Sequence, residues 1–390
     1  MAKNIKKKIL SYFFRNELPI YRYDYDRAIE YMRCLPEPTN DLERSFNQYL
    51  CQQYYQKSGL KFILNIISLI LIVPHIIWLL VKKKKYIVHE SKVAVHTENE
   101  KWKTFIPVIL FQNFLNWYYF KYHTGHSLHY KDIAFILKIW KKYLFYPFFV
   151  YKNMLKIAYY RYMIDYFSPE AIVCDNEYSF TSSILTSFCE VNKIKHINIM
   201  HGERLLEIRA SFFRYHECYV WNSLYADLFL KLRACSGQFV VAIPPALQIN
   251  VKEWRESKFL YDFKYYLGAP SLDEIKSIKQ VIEQLVCWGY KVQVRPHPLY
   301  TDMDLLYSQI DKSYIEDLSF PIEKSISNTN AVIGAGSTVL LQAFLCKIQV
   351  IWDDIVYKER FERFSQYGYV LAQGKMKMLS EVLDNLSKII

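Results

Sequence analysis

Apolar and polar positions change rhythm several times along the 390-residue chain. At first polar and aromatic positions recur at helical spacing, which predicts helices over 24–33 and 42–55 around the break at Pro36 and Pro38. An uncharged apolar run then fills 62–81. From Tyr86 to Thr97 the pattern turns β-branched and alternating, as in a strand, and 132–167 returns to an aromatic, basic and helical character.

Near residue 170 short apolar runs begin to alternate with helix-like stretches. Strands are predicted over 171–174, 195–200, 218–221 and 238–243, with helices over 180–190 and 223–233. Pro244-Pro245 and the polar stretch 250–258 break the pattern and are read as an interdomain linker. A second series follows, with strands over 263–267, 292–295, 331–333 and 349–352 and helices over 272–288, 321–327, 338–346 and 376–386. Strands separated by helices pair in parallel, because a parallel pair needs a long crossover where an antiparallel pair needs only a turn. The expected fold is α/β: two Rossmann-like domains, over 86–250 and 258–390, facing a cleft, with an N-terminal helical, membrane-associated extension over 1–85 that carries the apolar segment 62–81.

Composition narrows the class. A hydrophobic share of 52% against 23% charged residues supplies two cores and excludes a disordered chain. The eight cysteines include no Cys-x-x-Cys and no Cys/His pair at metal-site spacing, so reduced thiols in a cytosolic setting are expected, with no metal and no cofactor. The formal net charge of +12 points to anionic partners. Lys3, Lys6, Lys7 and Lys8 form one basic cluster and Lys82 to Lys85 another, directly after the apolar run. That run has about the 20 residues a hydrocarbon core requires and ends on Trp78 and lysines, as a membrane boundary does. Asn65, Ser68, Pro74 and His75 interrupt it, so a helix lying in the cytoplasmic leaflet fits as well as a span, and a buried helix of a soluble domain is the third reading. Residues 1–20 lack a continuous apolar stretch with a small-residue cleavage site, so no cleavable signal peptide is expected. Tyrosine and phenylalanine gather in runs such as 117–122 and 143–149. Base-stacking platforms share that composition, but so do membrane-interface helices, and nucleic acid is not expected as a partner.

Three motifs follow β-branched runs and so fall at the carboxyl ends of predicted strands, where α/β folds bind ligands. In His201-Gly202-Glu203, either His201 or Glu203 is suited to take a proton from an acceptor hydroxyl, with Arg204 and Arg209 to hold an anionic group. Asp175, at the end of the preceding strand in Asp175-Asn176-Glu177, is the second choice of base. In Arg295-Pro296-His297-Pro298 two prolines stiffen the exit from a strand, Arg295 offers a paired phosphate contact, and His297 offers a donor. In Gly334-Ala335-Gly336-Ser337-Thr338 small residues open a helix whose first amides and hydroxyls suit a phosphate oxygen. Each motif also has a plain structural explanation: a satisfied histidine with a capping glutamate, a rigid surface loop, and a Ser/Thr N-cap. Asp353-Asp354 is read as a turn cap, since no further metal ligands cluster near it in sequence.

With these residues in place, 165–390 resembles the GT-B glycosyltransferases of bacterial surface polysaccharide (capsule and lipopolysaccharide) synthesis. The likeness is to the loose group of sialyl and Kdo transferases and the CDP-polyol phosphotransferases of teichoic-acid type. The matching positions are His201-Gly202, His297-Pro298 and Ser337-Thr338. The resemblance implies that His297 contacts the donor phosphate, that Ser337 and Thr338 bind phosphate or nucleotide, and that a first-domain side chain is the base. Where sialyltransferase-like members carry an Asp/Glu-Asp-Gly turn, this chain has Asp175-Asn176-Glu177. The paired glutamates of retaining GT-B enzymes are unmatched near 337–346, where Gln342 stands, which favours inversion. The implied function is inverting, metal-independent transfer of a nucleotide-activated sugar, a CMP-sugar favoured, onto a lipid-linked or growing polysaccharide at the cytoplasmic face of the bacterial inner membrane. The alternatives are polyol-phosphate transfer from a CDP-polyol and a non-catalytic membrane scaffold with a degenerate transferase fold.

Overall fold

The computed structural model describes residues 25–81, 91–98, 100–120, 125–254, 260–369, 371 and 376–388. Both lysine clusters, the stretch read for a signal peptide and the end of the 250–258 linker lie outside the described residues. The chain forms two units. The first runs to His201 and resumes over Leu206–Pro244; the second takes Gly202–Leu205 and the chain from Pro245 onward.

The first unit is built on six parallel strands: β1 Val93–His96, β2 Asn116–Tyr119, β3 Ala171–Cys174, β4 Lys195–Ile199, β5 Glu217–Val220 and β6 Phe239–Val241, in the order β2-β1-β3-β4-β5-β6. Ala94 pairs with Ala171, Val173 with Ile197 and Ile199 with Tyr219. β1 and β3 are buried at every position, as strands covered on both faces must be. Its helices are α1 Tyr25–Cys34, α2 Asp41–Tyr54, α3 Ser58–Val81, α4 Val108–Asn113, α5 Tyr130–Lys142, α6 Pro147–Phe167, α7 Ser182–Val191 and α8 Ser223–Lys231. The stretch read as continuously helical over 132–167 divides in two, because Pro147 starts α6 at a position that needs no amide donor. β2 was hidden in the aromatic run 117–122, since an edge strand of half-buried aromatic residues lacks apolar alternation.

The N-terminal helices are stitched to this unit by polar contacts. Asn40 caps α2 by accepting from the Glu43 N–H at 3.1 Å. Asp41 receives two guanidinium bonds of 2.7 Å from Arg214. The Gln48 amide donates to the carbonyls of Glu177 and Arg209 at 2.7 and 2.9 Å. Deeper in, buried Arg161 of α6 donates twice to buried Asp132 of α5, at 2.9 and 2.7 Å, and once to Asn192 after α7 at 2.7 Å. One guanidinium thus joins three helices around the sheet.

The second unit has five parallel strands: β7 Tyr261–Tyr266, β8 Val292–Arg295, β9 Thr329–Gly334, β10 Gln349–Trp352 and β11 Lys377–Met378, in the order β11-β10-β9-β7-β8. Its helices are α9 Val251–Trp254, α10 Leu272–Cys287, α11 Met303–Gln309, α12 Ile322–Ser327, α13 Thr338–Leu345, α14 Lys358–Gln366 and α15 Leu379–Ser387. α10 opens on a reciprocal cap, in which the Ser271 N–H donates to Glu274 at 2.6 Å and the Glu274 N–H returns to the Ser271 hydroxyl at 3.3 Å. The expected α/β class is what forms, with every strand pair among the described residues parallel. Strand order reverses once in each sheet, between β1 and β3 in the first and between β7 and β9 in the second. At such a point the flanking connections leave on opposite faces and open a crevice at the carboxyl edge.

Removing one member of the buried Arg161–Asp132 pair strands the other charge. Arg161→Met is expected to lower stability in urea unfolding by about 3–5 kcal/mol, and Arg161→Met with Asp132→Leu to recover part of that loss. Equal losses in the single and double variants would show that packing, not the stranded carboxylate, sets the cost.

Candidate active site

The reversal point of the first sheet is lined by side chains from three neighbouring strands. β1 ends on His96, β3 runs into Asp175, and β4 into His201. His201 Nδ1 lies 3.4 Å from Asp175 Oδ2, and the edge of one ring faces the other where His201 meets Trp102, centroids 4.8 Å apart. A carboxylate against Nδ1 favours the tautomer that leaves Nε2 as the proton acceptor.

His96 was not singled out from sequence. Its Nδ1 accepts from the Glu98 N–H at 3.1 Å, which puts the ring proton on Nε2. That Nε2 is buried and has no hydrogen-bond partner among the described residues. Burial, with His201 nearby, pushes the imidazole down to about 4, so it is a neutral donor at pH 7. Lys156, projecting from α6, completes the group. Burial and the neighbouring Lys152 pull its ammonium down to about 8, against the attraction of Cys174, Glu98 and Asp175. Cys174 itself is no nucleophile, because burial and Asp175 push its thiol up to about 12.

His196 shows what a structural histidine in this sheet looks like. Its two ring nitrogens meet the Tyr160 and Thr186 hydroxyls, both at 2.8 Å, and burial holds it far below the usual imidazole range. Both of its nitrogens are used, whereas His96 has one with no partner among the described residues.

The structure separates the two candidates of the His201-Gly202-Glu203 turn. His201 belongs to the first unit beside Asp175, while Glu203 belongs to the second and, with burial, raises the Tyr369 hydroxyl well above its usual range. Arg204 is buried and donates to the Glu203 carbonyl at 3.2 Å. Arg209 turns to Glu207 and lies over the Tyr178 ring at 5.3 Å.

In the second unit the motifs again sit at the carboxyl edge, but Arg295 does not serve as expected. Its guanidinium donates to Glu316 at 2.6 Å and to the Phe320 carbonyl at 2.9 Å, inside a buried network with Lys264 and Ser325. Burial raises the Glu316 carboxyl, but Lys264, Ser325 and Arg295 outweigh that and hold it below the usual range. The paired contact foreseen with phosphate is spent on Glu316, a partner 21 residues further along the chain.

His297 is better placed. Its N–H donates to Thr301 Oγ1 at 2.8 Å, Thr301 donates to the Gly268 carbonyl at 2.7 Å, and the loop is thereby pinned to the end of β7. Its Nδ1 accepts from the Leu299 N–H at 3.1 Å, so the ring proton is on Nε2, and burial lowers its pKa. Pro296 is buried and Pro298 exposed, so the ring leaves the loop between a fixed and a solvated neighbour. Tyr300 stacks on it at 4.4 Å.

At the β7/β9 reversal the chain leaves Gly334 and turns through Gly336, whose φ is +67°. A Cβ there would stand 2.4 Å from the Phe364 ring, so both backbone and space demand glycine. Ser337 caps α13 by accepting from the Val339 N–H at 3.3 Å. The amides of Gly336, Ser337 and Thr338 make no hydrogen bond among the described residues, leaving three donors at the positive end of a helix dipole. Asp353 does cap a turn, with Oδ1 accepting from the Ile355 and Val356 amides at 3.0 and 2.9 Å. Its buried Oδ2 has no partner among the described residues, and burial raises the carboxyl to about 6. No group of three or more His, Cys, Asp or Glu that would hold a metal ion occurs among the described residues.

No protein-family model matches the chain, and no curated protein matches it in sequence. Among solved structures it is similar to the UDP-GlcNAc 2-epimerase of Methanocaldococcus jannaschii, at 11% identity and a TM-score of 0.43, over 76% of this chain and 91% of that one. The lipopolysaccharide outer core galactosyltransferase WaaB is similar at 10% identity and a TM-score of 0.39, over 76% and 94%. The wall teichoic acid polymerase TagF is similar at 10% identity and a TM-score of 0.38, over 85% and 98%. Identities and scores this low leave the functional conclusion to rest on the residues of this chain.

Proposed function

We propose that this protein is an inverting, metal-independent glycosyltransferase that moves a nucleotide-activated sugar onto a lipid-linked or growing surface polysaccharide at the cytoplasmic face of the bacterial inner membrane. One observation carries the proposal. Each sheet reverses its strand order once, and at those two points stand a histidine–carboxylate pair and a glycine-opened helix N-terminus with unused amides.

His201 takes the acceptor hydroxyl proton at Nε2, and Asp175 steadies the imidazolium that results. The freed oxygen attacks the anomeric carbon as the bond to the nucleotide phosphate breaks. His96 Nε2–H and the Lys156 ammonium bring a donor and a positive charge to the acceptor side. In the second unit the Gly336–Thr338 amides and His297 Nε2–H are suited to hold the nucleotide phosphate of the donor. The resemblance of the His201, His297 and Ser337-Thr338 motifs to those of sialyl and Kdo transferases is what favours a CMP-sugar as donor.

The first test is thermal unfolding with CMP, CDP, UDP and GDP, since a ligand bound only by the folded chain at about 100 times its Kd adds about 2.7 kcal/mol of stability. A selective rise with CMP is expected. UDP or GDP selectivity would keep the transfer chemistry and change the donor, and silence with all four would remove the reading. Mass analysis of the acceptor product separates a glycoside from a phosphodiester, the latter favouring polyol-phosphate transfer.

Two variants divide the roles. His201→Ala is expected to lower turnover by about 10²–10⁴-fold and keep the nucleotide response. Gly336→Ala, which keeps the His201 site, is expected to abolish that response. Loss of binding in His201→Ala, or full binding in Gly336→Ala, would contradict the division.

A pH profile tests Lys156. Its pKa of about 8 is lowered from the ordinary lysine value, so its charge disappears as pH rises through about 8, and turnover is expected to fall over the same interval. Lys156→Arg stays charged and is expected to move that limb upward; an unmoved limb would exclude Lys156 as its source.

A further inference from the structure

Ser58–Val81, helix α3, is the described helix long and apolar enough to cross a membrane. Its packing argues for another placement. Ser68, Ile72 and Leu79 form a buried stripe. On the same side Asn65 Oδ1 accepts from the Phe148 N–H at 3.0 Å, and His75 Nδ1 lies 2.9 Å from the Tyr151 hydroxyl. These bonds lie about 15 Å apart along α3 but only three residues apart on α6, and they hold α3 against the first turns of α6. α6 in turn gives Met154, Ile157 and Ala158 to the core and carries the buried Arg161 pair, so it cannot enter hydrocarbon. A helix held by its buried stripe and two polar bonds against such a partner stays with the unit. Its outer face exposes Phe62 at 66%, with Ile70, Ile77 and Trp78 beside it. In sequence Lys82 to Lys85 follow directly, a charge complement to anionic headgroups.

At the foot of α3 lies a cavity of about 300 Å³ lined by Tyr31, Tyr49, Gln53, Tyr54, Lys61 and Tyr146. Tyr49 is only 2% exposed, yet its hydroxyl has no hydrogen bond among the described residues. Among the described residues Lys61 has no ion pair, and no carboxylate lines the cavity. Hydroxyl donors around one uncompensated ammonium suit a phosphate group. Next to Tyr146, Leu144 and Phe145 are exposed, the latter at 87%, and extend the apolar rim.

We propose that α3 lies in the plane of one leaflet and that this cavity receives the phosphate headgroup of an anionic lipid from that leaflet. The site is separate from the proposed transferase residues and stands whether or not that reading holds. It gives the protein a lipid contact of defined chemistry in addition to general attraction between lysines and a charged surface.

The full chain is tested by flotation with vesicles of phosphatidylcholine alone and of phosphatidylcholine with phosphatidylglycerol. Wild type is expected to bind the anionic vesicles several-fold better. Lys61→Gln and Tyr49→Phe, each checked for an unchanged melting temperature, should remove most of that difference, while Lys131→Gln on the exposed surface of α5 should not. Equal behaviour of Lys61→Gln and Lys131→Gln would overturn the pocket assignment. If glycerol phosphate without vesicles raises the melting temperature of wild type but not of Lys61→Gln as strongly as the anionic vesicles do, the ligand is a soluble phosphate and the lipid assignment falls. Trp78 emission, taken as the difference from Trp78→Phe, should be quenched more by lipids brominated near the headgroup than at the chain end; the reverse order overturns the in-plane placement.

Discussion

Parallel strand pairing is the constraint on which the rest of the molecule depends. It forces every connection to cross a face of the sheet, and it gathers all carboxyl ends on one edge. Where strand order reverses, two crossovers leave that edge in opposite directions and neither covers the gap. His96, Asp175 and His201 meet because β1, β3 and β4 are neighbours, although some eighty residues separate the first from the second. The turn at Gly336 occupies the corresponding place in the other sheet. Connectivity, not a dedicated binding loop, sets where chemistry is available.

Within that frame, environment decides what a given residue type does. Three histidines belong to one sheet, His96 at the end of β1, His196 within β4 and His201 just beyond it. His196 has both nitrogens bonded and serves the core. His96 has one bonded and one without a partner among the described residues, a donor turned to no other part of them. His201 faces a carboxylate and is half-exposed, the setting of a base. The arginines divide in the same way. Arg161 and Arg295 have traded outside contacts for buried carboxylates and act as internal cross-links among helices and strands.

Much of this was legible in the chain. Runs such as Ala171–Cys174 and Val292–Arg295 are β-branched, short and bounded, and they form strands where the pattern places them. The Ser337 cap and the turn-capping role of Asp353 were also readable, because both are local. What escaped was non-local or disguised. β2 is an aromatic edge strand, β11 has two residues, and α14 is largely charged and exposed, so none carries a burial rhythm. His96 is a lone histidine in a strand, and Lys156 sits in a helix whose lysines look solvated; only the sheet order brings them to Asp175. Arg295 looked available because its partner, Glu316, lies beyond an intervening helix, and no pattern in Arg295-Pro296-His297-Pro298 announces it.

The place of α3 in the chain has a consequence for biosynthesis. Residues 58–81 leave the ribosome before any strand of either sheet, and α6, which covers the stripe at Ser68, Ile72 and Leu79, is made some seventy residues later. For that interval the largely apolar nascent helix lacks the partner that covers its stripe in the finished unit. The first unit therefore cannot close over this stripe until α6 has been made.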